Sequence, residues 1–183
     1  MLGFPLGILS AAGAGGVATT GTYELISTTT LGTATSSVTF SSLGDYSSTY
    51  KHLQLRTVAK SAQAGTGSGG ISAFMEINTA TLNAHYLYGD GSAVYSGTSA
   101  SGFMVNLVRA GVTSAFSACV TDILDPYSTS KNKTIRTFGG YNGELALTSG
   151  LWQSTSSTTS ITIKTTADNF AIGSRFSLYG IRG

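Results

Sequence analysis

The sequence predicts an all-β fold, an antiparallel β-sandwich of the jelly-roll type with an extended N-terminal arm. Only 10% of its 183 residues are charged and 24 are glycine, while serine and threonine supply most of the polarity. Glycine is costly inside a helix, and serine and threonine offer the backbone competing hydrogen bonds. Short runs of β-branched and aromatic residues recur between turn-forming residues. No segment keeps the 3.6-residue apolar period of an amphipathic helix, so the chain must bury its core with sheets.

Twelve candidate strands follow one another along the chain. In two of them apolar residues take every second position, as with Ile161 and Ile163 in one and Phe176 and Leu178 in the other. This alternation indicates strands with one buried and one solvated face. So many short strands without helices indicate two packed antiparallel sheets. In chain order the candidates are Tyr23–Thr29, Ser37–Phe40, His52–Lys60, Ile71–Ile77, Tyr86–Tyr88, Ala93–Tyr95, Phe103–Val108, Ala115–Ile123, Lys133–Tyr141, Glu144–Gln153, Ser160–Lys164 and Arg175–Ile181.

Turn-forming residues mark several connections between these strands. Asn142-Gly143 suits a two-residue hairpin turn, because both central residues of that turn need a positive φ. Asp90-Gly91 is typical of the same turn. The low-complexity tracts 62–70 and 154–160 predict exposed loops between strands.

The first 22 residues differ from the rest because they carry no charge. Glycine and proline interrupt their apolar run, which is therefore unlike the roughly 20 continuous apolar residues of a membrane span. A secretory signal would carry basic residues before its apolar run. We expect residues 1–22 to form an apolar docking arm and residues 23–183 to form a single sandwich domain. The arm could bury its side chains against the protein's own body, a sister subunit or a different protein. Its candidate docking residues are Leu2, Phe4, Ile8 and Leu9.

Composition excludes several classes of protein. A chain with 41% hydrophobic residues and a net charge of +2 is unlike a disordered one. Nucleic-acid binding needs clustered basic residues, and the ten here are scattered apart from Lys131, Lys133 and Arg136. The single cysteine, Cys119, excludes an internal disulfide and a cysteine-based zinc site. Its apolar neighbours predict a small buried side chain.

No motif for catalysis or metal binding stands out. His52 and His85 each lack a second metal-ligand residue at close spacing, so we expect them to pack or to form hydrogen bonds. Asp122 and Asp125 precede a proline, and we expect them to cap a turn and not to bind calcium. A G-x-S-x-G elbow for a serine nucleophile is missing. The expectation is a non-enzymatic protein with no catalytic residues, no metal and no cofactor.

Aromatic residues give the one positive indication of ligand binding. Tyr86, Tyr88 and Tyr95 flank the Asp90-Gly91 turn, and Trp152 precedes a Ser/Thr loop. Aromatic rings near loop ends are a possible surface for glycan contact, since they stack on sugars. Cross-strand aromatic pairs that stabilise a sheet are the commoner use of such residues.

Nine segments of the chain carry a family resemblance, namely Tyr23–Ser27, Val38–Phe40, Tyr46–Arg56, Tyr86–Ser92, Asp125–Lys133, Gly150–Trp152, Ile161–Ile163, Asn169–Phe170 and Phe176–Ile181. In these segments the chain resembles small structural proteins of tailed bacteriophages, of the kind found in cyanophages. The resemblance extends over most of residues 23–183 and is closest at the C-terminal end. It implies a virion protein without catalytic residues, on either the head or the tail.

From this resemblance we expect a capsid decoration, or cement, protein on the outer surface of the phage particle. Its partner would be the major capsid protein or another virion protein. We expect a homotrimer or another symmetric homo-oligomer, with no nucleic-acid partner and no membrane. The alternative is a receptor-binding module of a tail fibre or tail tip that recognises host polysaccharide.

Overall fold

The computed structural model describes residues 22–63, 71–99, 103–107, 115–141, 143–165 and 168–183. The predicted docking residues of the arm and Asn142 of the predicted hairpin turn lie outside these ranges. Within the described residues, no helix is both long and apolar enough to cross a membrane. The strands are β1 (Tyr23–Thr30), β2 (Ser37–Phe40), β3 (His52–Ala59), β4 (Ile71–Ile77), β5 (Ala80–Thr81), β6 (Asn83–Gly89), β7 (Val94–Ser99), β8 (Phe103–Leu107), β9 (Ser117–Leu124), β10 (Lys133–Tyr141), β11 (Glu144–Trp152), β12 (Ile161–Thr165) and β13 (Arg175–Ile181), with a 3-10 helix at Leu43–Tyr46.

Two antiparallel sheets pack against each other, which confirms the predicted all-β sandwich. The larger sheet has eight strands in the order β1-β13-β3-β9-β10-β11-β6-β7. The smaller sheet has five, in the order β2-β12-β4-β5, with β8 also paired to β4. Four candidate strands have the bounds that the sequence predicts, namely β2, β4, β10 and β13.

The strands are wound as in a jelly roll. Its characteristic pairs are nested, with β1 beside β13, β2 beside β12, β3 beside β9 and β4 beside β8. The chain adds β5, β6 and β7 between β4 and β8, and a hairpin of β10 and β11 between β9 and β12. Four of these added strands extend the larger sheet on the β9 side, so that one sheet is much wider than the other.

The core lies between the two sheets and follows the predicted alternation. Val38 and Phe40 of β2 and Ile161 and Ile163 of β12 point inward, while their neighbours are more exposed. Alternation arises because successive side chains of a strand point to opposite faces. Cys119 is buried and free, as the sequence predicts. Other core side chains are Leu53, Leu55, Met75, Ile77, Ile123, Phe170, Phe176 and Leu178, with the rings of Phe170 and Phe176 edge to face at 4.9 Å.

One connection differs from the prediction. The loop between β6 and β7 has four residues, Asp90 to Ala93, and not a two-residue turn. Gly91 has a positive φ of 86°, but Asp90 does not. The Asp90 side chain instead accepts hydrogen bonds from the backbone N–H groups of Ser92 and Ala93 at 3.0 and 2.8 Å. These bonds, that of Ala93 first, lower the pKa of the Asp90 carboxyl. An aspartate side chain that imitates a backbone turn removes the need for two positive φ values.

The tract 154–160 is a loop, but it is not uniformly exposed. Asn78, with a positive φ of 50°, holds it to the β4–β5 turn. The Asn78 Oδ1 accepts hydrogen bonds from the backbone N–H groups of Thr159 and Ser160, and its Nδ2 donates to the Ser157 carbonyl. Thr158 is fully buried. The low-complexity composition therefore conceals an anchored connection between the two sheets.

Lys133, at the start of β10, is a fully buried lysine. Its Nζ donates hydrogen bonds to the carbonyl oxygens of Ser128, Lys131 and Ser154 at 2.5, 3.2 and 3.1 Å. The ammonium also lies 5.3 Å from the centre of the Trp152 ring. Burial lowers the pKa of the Lys133 ammonium. The Lys133 ammonium thus connects three loop carbonyl groups by hydrogen bonds beneath the end of the sheet.

Candidate interaction surface

Most of the exposed large apolar side chains in the described ranges lie on the outer side of the eight-stranded sheet. Phe138, Leu145 and Leu147 are each more than half exposed, at 56%, 57% and 51%. Soluble monomers rarely show large contiguous apolar patches unless these bind something. We name this group the apolar face; its members are Val58, Leu87, Val94, Val120, Phe138, Leu145 and Leu147.

Strand register places four of these residues in one row. Phe138 on β10 pairs with Val120 on β9 and with Leu147 on β11, and Leu147 pairs with Leu87 on β6. Directly paired residues in an antiparallel sheet point to the same side. The four side chains therefore form a continuous apolar row across four strands.

A second row lies two residues further along the same strands and alternates in size. Its small residues leave space between the large ones, and two grooves result. One, of about 590 Å3, has Val120, Phe138 and Leu145 among its lining residues, and the other, of about 470 Å3, has Phe138, Leu87 and Val94. Phe138 thus lines both grooves. In order across the sheet, the second row is Val58, Ala118, Gly140, Leu145, Gly89 and Val94.

A polar row borders the apolar face on its other side. Asp122 accepts a hydrogen bond from Gln54 Nε2 at 2.9 Å and from Arg136 Nε at 3.1 Å. Arg56 Nε donates to Gln54 Oε1 at 2.8 Å, and its guanidinium lies 4.7 Å from the centre of the Tyr179 ring. An apolar centre with a hydrogen-bonded polar rim is the usual anatomy of a protein–protein interface.

Glu144 lines the larger groove at the end near the β10–β11 hairpin. Burial raises the pKa of its carboxyl, and the nearby charge of Asp90 adds to this shift.

The predicted tyrosines come together, but on the opposite side of the sheet from Leu87 and Val94. Tyr88 pairs directly with Tyr95, and their rings stack at 4.8 Å. Tyr86 and Tyr88 lie 5.9 Å apart along β6. Tyr95 is 43% exposed. The three rings form a ladder across two strands, an arrangement that stabilises the sheet and still leaves one ring accessible.

Trp152 does not join this ladder, and its predicted surface position needs correcting. Its side chain is only 7% exposed and packs beneath the Lys133 ammonium. The alternation of β11 turns Trp152 inward together with Ala146 and Thr148. A glycan surface near this sheet could therefore include the tyrosines but not the tryptophan.

The histidines and aspartates are used in separate local contacts. His52 Nδ1 accepts a hydrogen bond from the Asp125 backbone N–H at 3.1 Å, while His85 is exposed on the outer side of β6. Asp125, with a positive φ of 49°, starts the turn after β9 and pairs with Lys131 at 3.0 Å. That hydrogen bond lowers the pKa of the Asp125 carboxyl. Asp122 instead lies within β9 on the outer side, so it caps no turn. Within the described part of the chain, no group of three or more potential metal ligands converges.

The apolar face was not predicted from the sequence. A usable signal lies in β9 and β10, where large apolar residues occupy both odd and even positions and so point to both faces of the strand. Val120 and Ile123 are one such pair in β9, and Phe138 and Ile135 are another in β10. Strands that are apolar on both faces are typical of a sheet covered on both sides. Here the inward residues meet the core and the outward ones are exposed.

Comparison of the chain with protein-family models, curated proteins and solved structures finds no match.

Proposed function

We propose that this chain is a non-enzymatic virion structural protein of a tailed bacteriophage, and that it decorates the outer surface of the head. Its partner is the major capsid protein or another virion protein. The observation that carries the proposal is the apolar face, with Phe138 at its centre. The sequence resemblance to phage structural proteins directs the proposal to a virion.

Two further features support a role in assembly. The two rows of the apolar face carry no charged side chain between β9 and β6. A partner can therefore cover them without desolvating an ion, which is a costly step. The core lies within one sandwich, and such a small self-contained unit suits display in many copies, as a symmetric homo-oligomer such as a trimer.

Binding to heads tests the proposal. Heads from a phage that lacks the protein would be mixed with purified protein, and bound copies counted by gel densitometry. We expect saturation at hundreds of copies per head and better survival of heat or low salt. The double substitution Phe138→Ser and Leu147→Ser should weaken binding by about tenfold or more, because exposed aromatic and aliphatic anchors contribute most at interfaces.

Ile172→Ser is the matched control. Ile172 is 63% exposed in the turn before β13, and it lines neither groove. Since all three side chains are exposed, none of these changes should unfold the domain. Equal binding by the double variant and the control, or heads that are unaffected by loss of the protein, would contradict the proposal.

The ladder of Tyr86, Tyr88 and Tyr95 favours a second candidate function, a receptor-binding module of the tail that binds host polysaccharide. In that case a glycan array with the purified protein would give a signal that Tyr95→Ala abolishes, because Tyr95 carries the exposed ring. Virions would then hold a handful to tens of copies, located on the tail by labelled microscopy. A silent array together with head labelling would exclude this function.

A further inference from the structure

We infer that the apolar face is covered by residues 2–9 of the same chain, the apolar segment of the N-terminal arm. The inference concerns the free protein and does not depend on the virion role; a partner that binds the apolar face would have to displace residues 2–9 from it. It rests on the chemistry of the two surfaces, on the distance between them and on the length of the connecting chain.

The chemistry of the two partners matches. Residues 2–9 read LGFPLGIL, with five large apolar side chains and no charge. The centre of the apolar face offers Val120, Phe138, Leu147 and Leu87 in one uninterrupted row. Beside that row, grooves of about 590 and 470 Å3 are lined largely by apolar and small residues. An uncharged segment can cover the row between β9 and β6 without desolvating an ion, while Arg56 and Glu144 lie at the border of the larger groove.

The distance between the start of β1 and the apolar face follows from the register. Glu24 on β1 is level with Gly180, Leu53, Ile123 and, on β10, Ile135. Four strand spacings separate β1 from β10, which is about 19 Å. Phe138 lies three residues beyond Ile135, about 10 Å along the strand. The centre of the apolar face is therefore roughly 22 Å from Glu24 and about 25 Å from Thr22, where the connecting chain ends.

The chain between residue 9 and β1 has a matching length. Residues 10–22 consist of glycine, alanine, serine, threonine and one valine. Thirteen residues of a Gly-rich chain have a root-mean-square span of about 20 Å and a full extension of about 45 Å. A linker whose typical span equals the distance between two sites gives the highest effective concentration, in the millimolar range.

The match between the span of residues 10–22 and the distance to the apolar face favours the chain's own arm over that of a second copy. The arm of another molecule would compete only if the protein itself reached a comparable concentration. In the free protein, a covered apolar face is also protected from the self-association that exposed patches promote.

Paramagnetic relaxation tests the inference on the full chain. Ser149 is exposed beside the apolar face, paired with Arg136 and His85. A nitroxide on Ser149→Cys should broaden the NMR amide signals of residues 2–9. The same label on Ser37→Cys, exposed on β2 in the smaller sheet, should leave those signals sharp. Cys119 is buried, so the label goes to the introduced cysteine.

Further samples make the outcome decisive. Broadening should persist on dilution and should be lost in the Phe138→Ser/Leu147→Ser variant. It should also be lost when Leu2, Phe4, Ile8 and Leu9 are all replaced by serine, and binding of a hydrophobic dye should then rise several-fold. Sharp signals with the Ser149 label, or equal broadening from both labels, would overturn the inference.

A mixed sample separates the two sources of the arm. Isotope-enriched chains without nitroxide are combined with nitroxide-labelled chains that are not enriched. Broadening of residues 2–9 in this sample would assign the contact to a second copy and overturn the intramolecular arrangement. None of these measurements uses phage particles, so a failure here is distinguishable from a failure of the head-binding experiment.

Discussion

Replacing Lys133 by methionine removes a charge from the interior while keeping most of the side-chain volume. The lysine is fully buried, and three backbone carbonyl oxygens accept hydrogen bonds from its Nζ. Two of those carbonyls, of Ser128 and Ser154, belong to different loops. The substitution therefore disconnects two loops and leaves three acceptors without their donor.

The size of the effect follows from these contacts. A hydrogen bond to a charged group contributes about 1.5–3 kcal/mol. Part of that gain is offset in the native protein, because burying an ammonium costs several kcal/mol that methionine does not incur. We expect a net loss of about 2–4 kcal/mol in the free energy of unfolding. For a domain of this size that corresponds to a decrease of about 10 °C in Tm.

Urea unfolding followed by circular dichroism measures this difference, and the fluorescence of Trp152 reports on the same region. Lys131→Met is the matched control, since the Lys131 side chain is 66% exposed and pairs with Asp125 at the surface. Such pairs contribute about 0–1 kcal/mol. If Lys133→Met and Lys131→Met differed by less than about 0.5 kcal/mol, the reasoning about the buried ammonium would be refuted.

Three other substitutions probe the sandwich. Gly180→Ala should lower the free energy of unfolding by about 1–3 kcal/mol in urea titration, because a Cβ at this position overlaps the buried Tyr50 ring. An unchanged free energy of unfolding would show that the ring moves freely. Asn78→Gly can keep the positive φ but removes the hydrogen bonds to the loop before β12, so the free energy of unfolding should fall by about 2 kcal/mol. Thr79→Gly is the control: its φ is also positive, at 67°, and the free energy of unfolding should not change. Asp125→Asn should slightly lower the free energy of unfolding at neutral pH. Because the folded-state pKa of Asp125 is lowered, the contribution of its carboxylate is present above about pH 4 and disappears as the pH falls further. An equal difference between the two proteins at acidic and neutral pH would contradict this account.

Local pattern alone located most of the strands. Lys133–Tyr141 and Arg175–Ile181 have the observed bounds because period-two alternation and turn residues are properties of short segments. The same information led to errors where side chains replace backbone turns. Asp90 closes its loop with its own carboxylate, which the residue types of a two-residue turn do not reveal.

The candidate site was much less accessible from the sequence. Local reasoning selected Trp152 because it precedes a loop, yet the structure buries it beneath Lys133. The apolar face was missed because Leu87 and Phe138 lie 51 residues apart and meet only through Leu147. No single strand reveals a surface that the pairing of several strands creates.

The sequence by itself determined that this protein is an all-β chain with a long uncharged segment before Tyr23. Composition and alternation suffice for that, because both act on neighbouring residues. Only the tertiary structure decided that β6 pairs with β11, so that apolar residues of four strands align on the outer side of one sheet. It also decided that Lys133 is buried by carbonyls from separate loops. Both outcomes depend on long-range pairing, and the free energy of such contacts is shared among residues far apart in the chain.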